Sequence, residues 1–303
     1  MKRNQQADID YLYIPSSDYS HPTGIEPVCS ARRVSVLSRR YIIATLLIAI
    51  AAVTISTLML EIRHRREKRL AELLQRHGGI VFVTNRLPRS LDSWLGPSCP
   101  KWLFHAECVS ANDRSFSDDD MAIVSQMTTV RQLDLERTSV TDSGLLGIAG
   151  LPLLEDLIFS ETPIDGSGLR AIPKTSHIAL IILSETRVND AGVAHILACN
   201  KLRALYLNDT LVTDDCLRYI CRMSNLEELS LAGTAVKGTG FRDCKDLKHL
   251  RYLSLDRTKI TDVELQYLVG LAGLTGLSLE DTAVTDEAID LFRTERPDVD
   301  VGR

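Results

Sequence analysis

Thr138-Ser139-Val140-Thr141-Asp142 returns as Thr186-Arg187-Val188-Asn189-Asp190, Thr210-Leu211-Val212-Thr213-Asp214, Thr258-Lys259-Ile260-Thr261-Asp262 and Thr282-Ala283-Val284-Thr285-Asp286. Ahead of each lies an apolar run of one shape, Val130, Leu133 and Leu135 before the first and Leu274, Leu277 and Leu279 before the last. The run begins at Val130, Leu154, Ile178, Leu202, Leu226, Leu250 and Leu274, so every step is 24 residues. A fixed period of about 20 to 50 residues marks a stacked repeat protein.

Within one repeat, Leu133 and Leu135 alternate with Gln132, Asp134 and Glu136, the period of two that predicts a strand with one buried face. Val140 follows, then Thr141 or Asp142 as a helix N-cap, then the helical stripe Leu145 and Ile148. One strand and one short helix cannot bury their own apolar face, but stacked neighbours can. The expected fold is therefore α/β, a curved solenoid with a parallel sheet on its concave side and helices on its wider convex side. A Thr stands at 138, 162, 186, 210, 234, 258 and 282, and its hydroxyl is expected to bond the backbone as the strand turns away. The glycosylation match at Asn208-Asp209-Thr210 is read as a by-product of that column. Ile164-Asp165-Gly166 shifts the Asp by one place and Val236-Lys237-Gly238 lacks it, so those helices should start differently.

Leu-x-x-Leu-x-Leu-x-x-Thr-x-Val/Ile-Thr-Asp-x-Gly-Leu resembles the leucine-rich repeat, in the subtype with Thr where many members carry Asn or Cys. The resemblance covers about residues 106–303. Gly78-Gly79-Ile80-Val81-Phe82 through Trp94-Leu95 and Phe104 is similar to the segment that leads into the repeats of membrane-anchored bacterial members.

Upstream, residues 1–40 are polar and proline-bearing, and are expected to be a disordered tail in which Tyr11, Tyr13 and Ile14 are a candidate contact motif. Tyr41 to Leu60 is an uncharged, mostly apolar run, and about 20 residues of helix span a bilayer. A signal-peptide core is shorter, about 7–15 residues, and ends in a small-residue cleavage site; this run does not, which favours an uncleaved transmembrane helix over residues 41–60. Basic residues flank both ends, and the slight excess after the run leans towards a cytoplasmic repeat domain without fixing the side. Residues 61–79 read as a basic juxtamembrane helix stopped by Gly78-Gly79. Residues 80–105 read as an N-terminal cap, with Trp94 and Trp102 either covering the first repeat or lying on a membrane surface. Residues 106–303 then hold about eight repeats, the first divergent.

Charge divides along the chain. Residues 1–105 carry 15 Lys and Arg against 8 Asp and Glu, and the remainder carries 20 against 32. An acidic repeat region repels phosphate, which argues against nucleic acid and for a protein or peptide partner of basic character. The seven cysteines show no Cys-x-x-Cys spacing. Cys199, Cys216, Cys221 and Cys244 are expected to be small buried apolar residues, and Cys99 and Cys108 are candidates to pair on an oxidising side. No phosphate loop, His-Glu-x-x-His helix, nucleophile elbow or kinase motif is present, so no enzyme, cofactor or metal is expected.

The resemblance implies a scaffold that binds a protein or peptide on its concave sheet. The exposed strand positions there place Ile158, Ile182 and Tyr206 side by side, with Asp134 beside them, Glu136 two residues further on, and Glu161, Glu185 and Asp209 as an acidic rim. An apolar centre with a charged rim is the make-up of a binding patch. The alternative is a structural envelope protein whose repeats self-associate, so a homo-oligomer stays open.

Overall fold

The computed structural model describes residues 31–85, 104–174 and 176–303. Tyr11, Tyr13, Ile14, Trp94, Cys99 and Trp102 lie outside the described residues. The chain divides into two units, Met1–Ser56 and Thr57–Arg303.

Helix α1 runs without a break over Ala31–Gln75. It therefore takes in residues 31–40, which the sequence reading gave to a disordered tail, and joins the apolar run to the basic segment after it. The physical reason is that extending a helix costs far less than nucleating one, and residues 31–40 hold neither Gly nor Pro. The stretch from Arg40 is long and apolar enough to cross a membrane by length and composition, and its apolar side chains from Tyr41 to Met59 are exposed.

In the second unit, the end of α1 becomes amphipathic. Leu70 and Leu74 are buried in the core. Buried Glu67 accepts from the Thr129 hydroxyl at 3.0 Å and the Ala106 amide at 3.3 Å, and pairs with Arg63. Gly78 takes a left-handed φ of 79°, and the Gly79 amide returns to the Leu74 carbonyl, which stops the helix.

Strand β1 (Ile80–Asn85) pairs antiparallel with β2 (Phe104–Ser110). From β2 onward the sheet is parallel through β3 (Gln132–Asp134), β4 (Asp156–Ile158), β5 (Leu180–Ile182), β6 (Ala204–Tyr206), β7 (Glu228–Ser230), β8 (Tyr252–Ser254), β9 (Gly276–Ser278) and β10 (Asp300–Gly302). From β3 to β9 each residue pairs with the one 24 positions on, as Leu133 does with Leu157 and Leu157 with Ile181. The inward Leu133 and Leu135, and their equivalents in every repeat, are buried. Each such side chain contributes roughly 1.5–3 kcal/mol of burial. Residues 106–129 build one more unit, with Val109, Phe116, Met121 and Val124 buried and helix α2 over Asp118–Val124.

On the opposite side stand short helices α3 (Asp142–Leu145), α4 (Asp190–Ile196), α5 (Leu217–Ile220), α6 (Asp262–Leu268) and α7 (Asp286–Glu295). The repeats with a shifted or missing Asp start at Gly166 and Gly238, both left-handed, and form 3-10 turns, Ser167–Ala171 and Thr239–Asp243. The last repeat is closed by Arg296, which donates to the carbonyls of Val269, Leu271 and Leu274 and pairs with Asp298.

All seven column threonines donate to the carbonyl three residues back, from Thr138 to Leu135 (2.8 Å) through Thr282 to Leu279 (2.8 Å). The caps are Thr and Asn, and the Asp beside them does something else. Thr141 caps α3, while Asp142 accepts from the amides of Asp165, Gly166 and Gly168 in the next repeat. Asp118, Asp190 and Asp262 likewise each take the amide and hydroxyl of Thr141, Thr213 and Thr285. Cys199 and Cys216 are buried, as expected of apolar residues. Cys221 and Cys244 are buried as well, and they also form a disulfide that the sequence reading did not pair: 23 residues apart at a period of 24, they sit side by side in the stack with Cα atoms 4.8 Å apart.

Candidate binding face

Period two leaves three outward positions on each strand. The central column reads Asp134, Ile158, Ile182, Tyr206, Ser230, Ser254 and Ser278, and direct register places Ile158, Ile182 and Tyr206 on adjacent strands. All three are half-buried. The column nearer the strand start adds Leu180 and Ala204 beside them, and Tyr252 further along, 44% exposed. Leu180, Ala204 and Tyr252 were missed in the sequence because the face was read from the strand centre onward; the same alternation, counted one step earlier, finds them. Past Tyr206 the central column becomes Ser230 and Ser254, both buried, so the floor there is low.

Tyr206 is held in place. Its hydroxyl donates to Glu228 on the next strand. That hydrogen bond, with burial and the Glu228 charge, pushes the phenol up to about 12. Asp134, half-buried, accepts from the Ser110 hydroxyl, and Glu136 lies 3.5 Å from Arg137.

The rim differs from the expectation. Arg137, Glu161, Glu185, Asp209, Gly233, Arg257 and Asp281 all have left-handed backbone, with φ between 53° and 68°. From Arg137 to Arg257 their amides extend the ladder one step past the strand, as Glu161 does to the Ser184 carbonyl and Asp209 to that of Ala232. The left-handed turn swings these side chains along the stack, and two of the three expected acids meet an arginine. Arg137 donates to Glu161 at 2.7 Å, which holds the Glu161 carboxyl below its usual range and raises the Arg137 guanidinium. Arg257 grips both Asp209 oxygens at 3.1 and 3.0 Å from two repeats away. It reaches over Gly233, where a Cβ would overlap Asp209 Oδ1. Among the described residues Glu185 has no ion pair. It lines a hollow of about 460 Å³ with Arg114, Glu161, Arg187 and Asp209. The rim is thus mixed, with Glu185 near its middle and Asp281 at its end outside any ion pair among the described residues.

The opposite edge, where the strands begin, carries cations that sequence reading did not assemble. Lys201, Arg203, Lys248, His249 and Arg251 border two hollows of about 580 and 340 Å³. No three His, Cys, Asp or Glu side chains among the described residues gather in a metal-binding cluster.

A family model described as Leucine Rich repeat matches residues 126–149. Internalin C2 of Listeria monocytogenes str. 4b F2365 is 23% identical with a TM-score of 0.50, over 60% of this chain and 74% of that one. An internalin, InlF, of the same strain is 19% identical with a TM-score of 0.46, over 60% of this chain and 56% of that one. This chain therefore spans little more than half the length of the latter. No curated protein matches significantly. The likeness to internalin C2 shows the fold.

Proposed function

We propose, from the premise that this chain is a leucine-rich-repeat solenoid, that it is a membrane-anchored, non-enzymatic scaffold. Its partner is a protein or peptide lying on the sheet face over Ile158, Ile182 and Tyr206. One observation carries this reading. These three side chains occupy adjacent strands at positions where other repeats place Asp or Ser, so the fold does not require them to be apolar. Tyr206, pinned by Glu228, is a pre-oriented aromatic anchor of the kind that dominates interface energies. Glu185 supplies a contact for a basic group. Asp134 and Glu136 continue the face towards the first repeat, and Glu161 and Asp209 shape the rim through their arginines.

The anchor is α1, whose apolar run spans Tyr41 to Leu60, with its apolar side chains exposed from Tyr41 to Met59. The Cys221–Cys244 disulfide supports a repeat domain on an oxidising side of the membrane, since disulfides do not persist among reducing thiols. Protease shaving and thiol labelling of intact cells against opened vesicles test this. Protection in intact cells together with two additional labelled thiols at 221 and 244 would reverse the orientation.

The function is tested with a photo-crosslinking residue at position 182 and, separately, at the exposed helix-side position 218. A partner captured from 182 and not from 218, and lost on Tyr206→Ala with an unchanged unfolding temperature, supports the reading. Equal loss of binding and stability in Tyr206→Ala rejects it. The self-association alternative predicts that the species captured from 182 is a second copy of the chain.

A further inference from the structure

The two edges of the sheet are unlike in charge. At the trailing edge, arginines neutralise Glu161 and Asp209. At the leading edge over β6 to β9 the balance is reversed. Arg203 is held by Glu227 at 2.6 Å, but Lys201, Lys248 and Arg251 form no ion pair among the described residues, and His249 stands with them. All of these side chains are exposed. Their backbone is fixed: the Arg251 carbonyl accepts the amides of Thr275 and Gly276, and the Arg203 carbonyl accepts those of Glu227 and Glu228. Arg203 and His249, with Glu227, border both hollows, Lys248 and Arg251 border one and Lys201 the other, and the two arginines are rooted in the ladder, so part of the cluster is held in place at low ordering cost. The net charge of the repeats is negative, so a local excess of cations does not follow from composition.

We infer that this leading-edge groove binds anionic carboxylates, and that its occupant is an acidic segment of the partner whose apolar part lies on Ile158, Ile182 and Tyr206. The inference rests on the reading of the sheet face given above. A chain crossing from Arg203 to Asp209 follows six residues of strand and ladder, roughly 20 Å. The partner is therefore bipolar: acidic residues at the Lys248–Arg251 end, apolar residues in the middle, and a basic residue for Glu185 at the far end. Charge complementarity at both ends fixes which way the partner lies across the sheet.

The test uses the full chain in nanodiscs of neutral phosphatidylcholine and fluorescein-labelled hexaglutamate, read by anisotropy. Hexaglutamate is expected to bind and to weaken as salt rises to about 0.3 M, where screening shortens to a few ångströms. Lys248→Glu with Arg251→Glu should lower its affinity at least ~10-fold, or about 1.4 kcal/mol. Lys248→Gln with Arg251→Gln should act in the same direction by a smaller factor, and both sites are exposed, so folding is preserved. Tyr206→Ala should leave hexaglutamate binding within about twofold, because mutations at distant sites without shared partners act independently. A failure of the sheet-centre reading therefore shows in the position-182 crosslink while hexaglutamate binding survives. Absent binding, or equal binding by the Lys248/Arg251 variants, overturns the groove. Pyrophosphate binding more tightly than hexaglutamate, through the same two residues, overturns the assignment to a peptide acid.

Discussion

On the helix side of the solenoid, Asp118, Asp190 and Asp262 each clasp the Thr that opens the following repeat, through its amide and its hydroxyl. On the sheet side no column keeps one residue type: Asp134, Ile158, Ile182, Tyr206 and Ser230 succeed one another at equivalent positions. The two sides are built by the same repeats and the same register. What differs is where each side chain's hydrogen bonds go. A helix-side Asp is consumed by its neighbour, so stacking specifies it. A sheet-side residue bonds now a neighbouring side chain, as Tyr206 does Glu228, and now a neighbouring amide, as Asn208 does that of Ala232, so stacking leaves its identity open. Even where the helix side breaks its own pattern, it repairs the same bonds. No Asp precedes Thr261 in the Gly238 repeat, and there Glu264 accepts from the Thr261 amide and hydroxyl. Asn189, which follows the Gly166 repeat, takes a different course and caps two amides of its own helix, those of Ala191 and Gly192.

The contrast is sharpest between neighbours on one strand, and the largest expected effect is there. Leu205→Ala removes a fully buried side chain and should cost about 2–5 kcal/mol in denaturant unfolding. Its neighbour, Tyr206→Ala, should cost about 0.5 kcal/mol or less, close to other surface changes, while partner binding falls at least ~10-fold. A similar stability loss for both would erase the distinction between the two sides.

Breaking a clasp comes next. Asp190→Ala strands the Thr213 amide and hydroxyl and should cost about 1–3 kcal/mol. Asp214 offers the same comparison through pH. Burial would raise its carboxyl, but hydrogen bonds from the Thr239 hydroxyl and the amides of Gly238, Lys237 and Thr239 outweigh that and hold it below its ordinary value of 3.8. Its contribution is therefore fully present above pH 3.8 and is lost as pH falls through the lower folded value. Acid unfolding of Asp214→Asn should lack that component of the pH dependence. An unchanged acid limb would mean that the clasp contributes nothing.

Smaller again is Gly233→Ala. A left-handed φ of 68° and the overlap with Asp209 should together cost about 1 kcal/mol and release Arg257 from Asp209. A crystal structure of the variant with the ion pair intact would contradict this. Least in energy is Glu228→Gln, which removes the charge that Tyr206 faces. The Tyr206 phenol, at about 12 in the native chain, should titrate closer to 10 by ultraviolet absorbance. Because the folded value is raised, the native interaction stabilises below pH 10 and is lost as pH rises towards 12. A native phenol that already titrates near 10 would place Tyr206 in solvent and weaken its role as a fixed anchor.

Much of the face was legible in the chain. Ile158, Ile182 and Tyr206 are 24 residues apart, and a parallel ladder in constant register must set them side by side. Leu180 and Tyr252 were legible by the same count and were passed over. The rim was not legible. Nothing local to Asp209 points to Arg257, 48 residues on, as its partner, because that pairing needs an intervening Gly and a left-handed turn on both sides.

The 24-residue period by itself determined the solenoid, its buried leucines and the threonine column. In a stacked array every unit meets only its neighbours, so a contact made once is made again at the same spacing and is written into the sequence as a repeat. The tertiary structure alone decided the interactions that the repeat motif does not announce. These are the arginines that neutralise the rim, the direction in which each Asp reaches, the Cys221–Cys244 bridge, and the cations gathered along the leading edge. They depend on how far a side chain extends and which way a turn aims it. Those quantities are set by backbone conformation and by the spacing of strands, and a spacing along the chain does not encode them.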